Sequence, residues 1–240
     1  MNRSDLQSIW VYLAASPLLG LTSTLLAYQA SMWLFERCGR RPLLNPILIS
    51  VAMIVGFLMA TGVEYRTYFD GAQFVHFLLG PATVALAVPL YHQLPLLRRA
   101  WPAVLAVVLT GAVVACVGAV AIAWSLGGSE PILLSLAPKS VTIPIAMGVA
   151  ERIGGIPSLT AVMVMLTGIF GAVAGGWILD LARVKTPAAR GLALGIASHG
   201  IGTVRALQMG ETAGAFAGLA IGLTGLATAI LVPLLVSWAR

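Results

Sequence analysis

The 240-residue chain alternates long apolar runs with short polar breaks, and eight hydrophobic elements can be read from that pattern. They fall at about 6–35, 45–61, 69–91, 103–124, 131–153, 158–179, 188–209 and 212–238. Runs such as 104–108 and 226–236 are apolar on every face. Strands of a membrane barrel would alternate with period two, so these elements are helices in an apolar medium. Internal breaks interrupt four of them. Pro17 and Gly20 lie in the first, Gly80-Pro81 and Pro89 in the third, Pro138 and Pro144 in the fifth, and His199-Gly200-Ile201-Gly202 in the seventh. In a membrane, such breaks persist only where protein or a water-filled cavity satisfies the freed backbone groups.

Composition removes the alternatives. Hydrophobic residues make up 59% of the chain and charged residues 9%, against roughly 25% charged in soluble domains. The chain reads as an all-α polytopic membrane protein. Its net charge of +6 is spread over short loops, which suits topology-setting charges and not a nucleic-acid partner. Arg37, Arg40 and Arg41, then Arg98 and Arg99, then Arg183, Lys185 and Arg190 form one group, whereas the intervening loops hold only Arg66 and Arg152. The positive-inside bias places the first group in the cytoplasm and leaves Glu130, Glu151 and Glu211 outside. That assignment requires one element between Glu130 and Arg183 not to cross. The fifth is the candidate, because its prolines cut it into arms of about seven to nine residues, or roughly 10–14 Å of helix. Residues 131–153 are therefore predicted to form a re-entrant hairpin.

Gly80-Pro81-Ala82-Thr83-Val84 is similar to Gly200-Ile201-Gly202-Thr203-Val204, at an offset of 200 − 80 = 120. The same offset carries the 138–144 tip onto 18–24. The pattern predicts two inverted repeats, 1–126 and 127–240, each running hairpin, helix, broken helix, helix, with transport and scaffold units interleaved across both. That is the plan of secondary transporters, whose sites lie at broken helices near the midplane. An elevator-like slide and a homodimer follow by analogy.

The chemistry concentrates at the breaks. Pro138-Lys139-Ser140-Val141-Thr142-Ile143-Pro144 puts a cation and hydroxyls inside an apolar stretch, and an ionisable group at membrane depth is costly and usually functional. Ser198-His199-Gly200-Ile201-Gly202-Thr203-Val204-Arg205 begins a new half-helix beside an arginine, a pairing suited to a carboxylate. Gly80, Pro81, Ala82 and Thr83 offer a second half-helix end, and Ser23 and Thr24 supply hydroxyls at the matching tip. The candidate substrate ligands are thus Gly80, Pro81, Ala82, Thr83, Lys139, Ser140, Thr142, His199, Gly202, Thr203, Arg205, Ser23 and Thr24. No hydrolase, metalloprotease or nucleotide-binding motif is present, and Cys38 and Cys116 suggest neither disulfide nor metal site. No enzymatic activity, cofactor or metal is expected, and a coupling proton or cation is left open.

Several segments carry a family resemblance. Phe77-Leu78-Leu79-Gly80-Pro81-Ala82-Thr83, the 138–146 and 154–161 stretches, Ala189-Arg190-Gly191-Leu192-Ala193-Leu194-Gly195, His199–Thr203 and Met209-Gly210-Glu211 together resemble the LrgB/CidB (YohK-like) membrane family over roughly residues 43–236. The resemblance implies a multi-pass protein of the bacterial cytoplasmic (inner) membrane. It also implies a choice of function. One is secondary transport of small monocarboxylates, as in the plastidic glycolate/glycerate translocator, with glycolate, glycerate or pyruvate-like acids as substrates. The other is an antiholin- or holin-like regulator of murein hydrolase export and cell lysis, often with a small LrgA/CidA-type membrane partner. The chain lacks the LrgA-like half fused in the plant protein, and Ser198 stands where many relatives are expected to carry alanine.

Overall fold

The computed structural model describes residues 17–41, 44–78, 81, 84–85 and 87–239. Among them are ten helices and no strand. Packing divides the chain into two compact units, 1–85 and 86–240. The 126/127 boundary proposed between repeats is not a packing boundary; it falls in a turn inside the second unit.

The first unit contains α1 (Pro17–Arg37), α2 (Pro46–Thr61) and α3 (Tyr65–Phe77). Asn45 starts α2: its side chain accepts from the N–H groups of Ile47 at 2.9 Å and Leu48 at 3.3 Å, and Pro46 occupies the first turn, where its missing N–H costs nothing. Hydroxyls join the helices. Ser50 donates to Ser31 at 3.1 Å, and Thr24 and Tyr68 share a hydrogen bond of 2.7 Å. Such bonds and close packing hold helices together in lipid, where apolar side chains gain little by leaving the tails. The hairpin tip expected at 18–24 is corrected: these residues are the first turns of one continuous helix. Ser23 and Thr24 donate back to the Gly20 carbonyl at 3.1 and 2.7 Å, and no second breaker follows Gly20 before Arg37. The arm expected before Pro17 lies outside the described residues.

The second unit contains α4 (Ala87–His92), α5 (Leu94–Ser125), α6 (Glu130–Leu136), α7 (Ile143–Ile153), α8 (Pro157–Leu181), α9 (Pro187–Met209) and α10 (Glu211–Ala239). In the third predicted element α3 ends at Phe77 and Leu78 lies in a turn; Pro81, Val84 and Ala85 are helical again, and 79–80, 82–83 and 86 lie outside the described residues. The fourth starts earlier than its apolar run. A proline in the first turn opens α5, so Arg98 and Arg99 stand on the helix and not in a loop. By length and composition α1, α5, α8 and α10 can each cross a membrane.

α5 and α10 run parallel. Val104 and Val108 share a buried cluster with Phe216 and Ala220, and Cys116 shares another with Val232. α8 runs in the opposite direction: Thr160 meets Ser135, and Leu179 packs near Ala213 and Ala217.

Residues 130–153 form the predicted hairpin. Its helices have 7 and 11 residues, roughly 10 and 16 Å, so neither spans a hydrocarbon core of about 30 Å. The chain then returns to its start. Ile156 N–H donates to Ser135 Oγ at 2.7 Å, and Thr160 Oγ1 donates to the Ser135 carbonyl at 2.9 Å.

The seventh element was expected to cross with a break, and here the structure corrects the sequence. Ser198 (φ −135°, ψ 17°) and His199 (φ 41°, ψ −132°) leave helical geometry, and the chain folds back on itself. Gly202 lies against the Leu194 carbonyl. Arg190 donates to the Gly176 carbonyl, and Arg205 and Met209 approach that same glycine. A straight helix would hold residues 190 and 205 roughly 22 Å apart. α9 is thus a second hairpin, with arms 187–197 and 200–209. α10 leaves from the same side, since Gly191 lies against the Ala213 carbonyl and Gly195 against Ala217 and Ala220. Glu211, expected on the outer side, is accordingly on the basic side, where its carboxylate is hydrogen-bonded to His92 Nδ1 at 2.7 Å.

The order in this unit is a crossing helix, a hairpin from one side, a crossing helix, a hairpin from the other side, and a crossing helix. In a background of Cys38→Ser and Cys116→Ala, single cysteines at Ser129 and Arg152 should label from one face of the membrane, and cysteines at Lys185 and Glu211 from the opposite face. Labelling of Lys185 and Glu211 from different faces would restore the crossing and sink the second hairpin.

Candidate functional site

The two hairpin tips enclose a cavity of about 300 Å³, at the small end of ligand pockets. Lys139 and Ser140 enter it from the first tip, and Ala193, Leu194, Ala197 and Ser198 from the first arm of α9. Thr167, Phe170, Gly171 and Gly175 line it from α8, with Ala115 from α5. The two sequence clusters, some 60 residues apart in the chain, therefore meet.

Local chemistry explains the placement. Pro138 and Val141 are buried, so the tip is anchored on both sides of Lys139. The Lys139 ammonium donates to Ser140 Oγ at 3.3 Å, and among the described residues no carboxylate lies within ion-pair distance of it. Among the described residues it is the one charged side chain lining the cavity. α7 begins at Ile143 with Thr142 as its N-cap, whose side chain makes no capping bond. The second arm of α9 begins just after His199. Both helices thus start at the tips.

Ser198 is the residue that sequence reading passed over. Its side chain faces the cavity, and it can do so because Gly171 has no side chain: a Cβ at 171 would collide with Ser198 Oγ. Thr167 also lines the cavity, with its hydroxyl donating to the Met163 carbonyl at 2.7 Å. The signal was in the spacing. Thr167, Gly171 and Gly175 recur every four residues, which puts them on one helix face.

The other predicted ligands have different places. His199 is buried and its Nε2–H donates to the Val164 carbonyl at 3.0 Å, tying the second tip to α8. Thr203 is buried and donates to the His199 carbonyl at 3.0 Å. Gly202 supplies the close approach of the two arms. These three build the reversal and do not line the cavity. Arg205 also stands outside the lining, toward the base of the hairpin, and donates to Gln208 Oε1 at 3.0 Å. Thr142 is beside the tip but not on the cavity wall. Ser23 and Thr24 belong to the first unit. Pro81 is helical and exposed; Gly80, Ala82 and Thr83 lie outside the described residues. Among the described residues no cluster of three His, Cys, Asp or Glu could hold a metal ion.

A second cavity of about 650 Å³, between α5, α6 and α10, is lined by Cys116, Val120, Leu134 and Val232, with Trp124 and Trp238 also on its wall. Apart from Glu130 its lining has no convergent polar groups.

Four apolar helices and two opposed hairpins define a multi-pass membrane protein of the bacterial cytoplasmic membrane. The chain belongs to the LrgB-like family, whose model matches residues 24–238. It is 31% identical over 219 residues to "Antiholin-like protein LrgB" of Bacillus mycoides (strain KBAB4), covering 91% of this chain and 95% of that protein. It has the same identity and coverage with the protein of that name from Bacillus cereus (strain B4264). With YxaC of Bacillus subtilis (strain 168) it is 37% identical over 213 residues, or 89% of this chain and 92% of the other. No solved structure matches the chain.

The Gly171–Ser198 contact is directly testable. Glycine to alanine in a helix normally stabilises by about 0.5–1 kcal/mol, but overpacking a filled site costs about 1–3 kcal/mol. Gly171→Ala should therefore lower the thermal midpoint of the purified protein, and adding Ser198→Gly should restore most of the loss. A single variant as stable as the native protein would show that the two residues are not interlocked.

Proposed function

We propose that this protein is a secondary transporter of small monocarboxylates, such as glycolate, glycerate or pyruvate-like hydroxy- and oxo-acids. The observation that carries the reading is Lys139, a cation without a carboxylate partner, in a small cavity where two opposed hairpins meet. A carboxylate would complete the ion pair, and the Ser140 and Ser198 hydroxyls suit a substrate hydroxyl or keto oxygen. Apart from Thr167, the rest of the cavity lining is apolar, which suits a short carbon chain. Alternating access would follow from displacement of the hairpins against α5 and α10. An elevator-like slide, a homodimer and inverted repeats are further parts of this proposal.

A second reading, an antiholin- or holin-like regulator of murein hydrolase export and lysis, is the one that the relatives' names favour. A small LrgA/CidA-type membrane partner is compatible with either. The two differ in what crosses the membrane. Proteoliposomes should take up labelled glycolate saturably while retaining a large trapped dye; dye leakage without saturable uptake would favour the pore regulator.

Losing one partner of a desolvated charge pair costs about 2–5 kcal/mol, so Lys139→Met should weaken glycolate binding roughly 30-fold to several thousandfold. A neutral hydrogen bond contributes about 0.5–1.5 kcal/mol. Ser198→Ala should therefore weaken glycolate roughly two- to tenfold and leave acetate nearly unchanged. Equal losses for glycolate and acetate would mean that Ser198 acts on packing and not on the substrate hydroxyl.

A further inference from the structure

The far end of the α9 hairpin carries a second cationic cluster. Arg190, on the first arm, donates to Asp180 Oδ1 at 2.6 Å, to the Val184 carbonyl at 3.0 Å and to the Gly176 carbonyl at 3.4 Å. Arg205, on the second arm, brings Nη2 to 3.9 Å from the position a Cβ of Gly176 would take. Two guanidinium groups from opposite arms thus converge on one residue of α8 that has no side chain. The charges do not balance. Asp180 answers Arg190, whereas Arg205 has the neutral Gln208 amide oxygen at 3.0 Å, and its Nε–H is buried without a hydrogen bond. A buried donor left unpaired bears its full desolvation penalty.

The position of the cluster gives it meaning. Arg190, Ala193, Leu194, Ala197 and Ser198 recur at helical spacing along one face of the first arm, and the last four line the cavity. Arg190 therefore stands one turn below the cavity, on its basic side. Ile178 and Leu179 close that end from α8, and Asp180 follows them directly. The carboxylate of Asp180 on Arg190 is itself a demonstration that the guanidinium receives a carboxylate there. Asp180 is exposed while Arg190 is largely covered, so the acid is the member of the pair that can swing away.

We propose that Arg190 and Arg205 form an entrance site for the transported carboxylate at the basic-side mouth of the cavity, with Asp180 as its displaceable stand-in. The incoming carboxylate takes the Asp180 position on Arg190 and draws Arg205 from Gln208 into a second contact; forked guanidinium donors suit such shared oxyanion binding. Breaking the Arg190–Asp180 contact also removes the shortest of the three bonds that tie the base of the first arm to the end of α8 and the loop after it. The inference rests on the carboxylate-transport reading of the tip cavity.

Labelled glycolate, bound by purified protein in phosphatidylcholine nanodiscs, is the test. The native protein should bind two per chain. Lys139→Met should abolish one site and leave the other. Arg205→Gln should weaken the second site about 30-fold or more and leave the Lys139-dependent site intact, with Arg205→Lys intermediate. Asp180→Asn, which removes the competing carboxylate but no cation, should tighten the second site. This variant keeps the test decisive if Arg205→Gln does not fold. A single site per chain, sensitive to Lys139 and indifferent to Arg205 and Asp180, overturns the entrance site and leaves the transport reading standing. No glycolate binding by the native protein overturns both. Disappearance of the Arg205-dependent site in phosphatidylglycerol nanodiscs would assign the oxyanion to a lipid headgroup and overturn the entrance role.

Discussion

A helix that ends inside hydrocarbon must have its freed backbone groups satisfied by the protein itself, and the second unit is arranged around meeting that requirement at residues 198–199. His199 adopts φ 41°, a conformation that costs an L-residue about 1–3 kcal/mol unless its surroundings impose it. They do. Its imidazole donates to the Val164 carbonyl, its carbonyl accepts from Thr203, and Gly168 leaves room for the ring. Glycines at 191, 195 and 202 let the two arms and α10 approach backbone to backbone. With the reversal fixed, Ser198 is presented at the depth of Lys139, and the cavity is the space left between the two.

The same economy of polar groups explains why the cavity has its character. Several hydroxyls of the second unit are taken up by nearby carbonyls, as at Thr110, Ser135, Thr160, Thr167 and Thr203. Ser140 and Ser198 are the exceptions on the cavity wall: one accepts from Lys139, and the other makes no hydrogen bond to the protein. On the cavity wall, the hydroxyls left for a ligand are therefore those at the two tips.

The sequence made the helical class, the first hairpin and the importance of Lys139 legible, each for a local reason. Apolar runs without alternation dictate helices. Two prolines six residues apart leave arms too short to cross. A lysine between them has no nearby carboxylate in the chain. The second hairpin was not legible, because a glycine-rich break looks the same whether the chain continues or turns back. That choice is made by partners distant in sequence, Val164 for the tip and α10 for the glycines. Charge counting misled for a related reason: Glu211 was placed outside on the assumption that its helix crossed, and its pairing with His92 is a tertiary contact. The role of Ser198 was hidden in the same way, since only the absence of a side chain at Gly171 gives its hydroxyl somewhere to go. Arg205 drew attention correctly as a cation at depth, but the fold-back carries it to the base of the hairpin and away from the tip.

A hairpin that enters and leaves on one face also has a consequence for how the protein is made. α9 lacks the length of apolar sequence that would let it insert as a crossing helix, and its second arm carries Arg205. While the ribosome has reached only Met209, the faces of Gly191 and Gly195 have no α10 to rest on. A chain that ended before α10 would hold every long apolar helix of the unit but one, and a second hairpin without the helix on which its glycines rest.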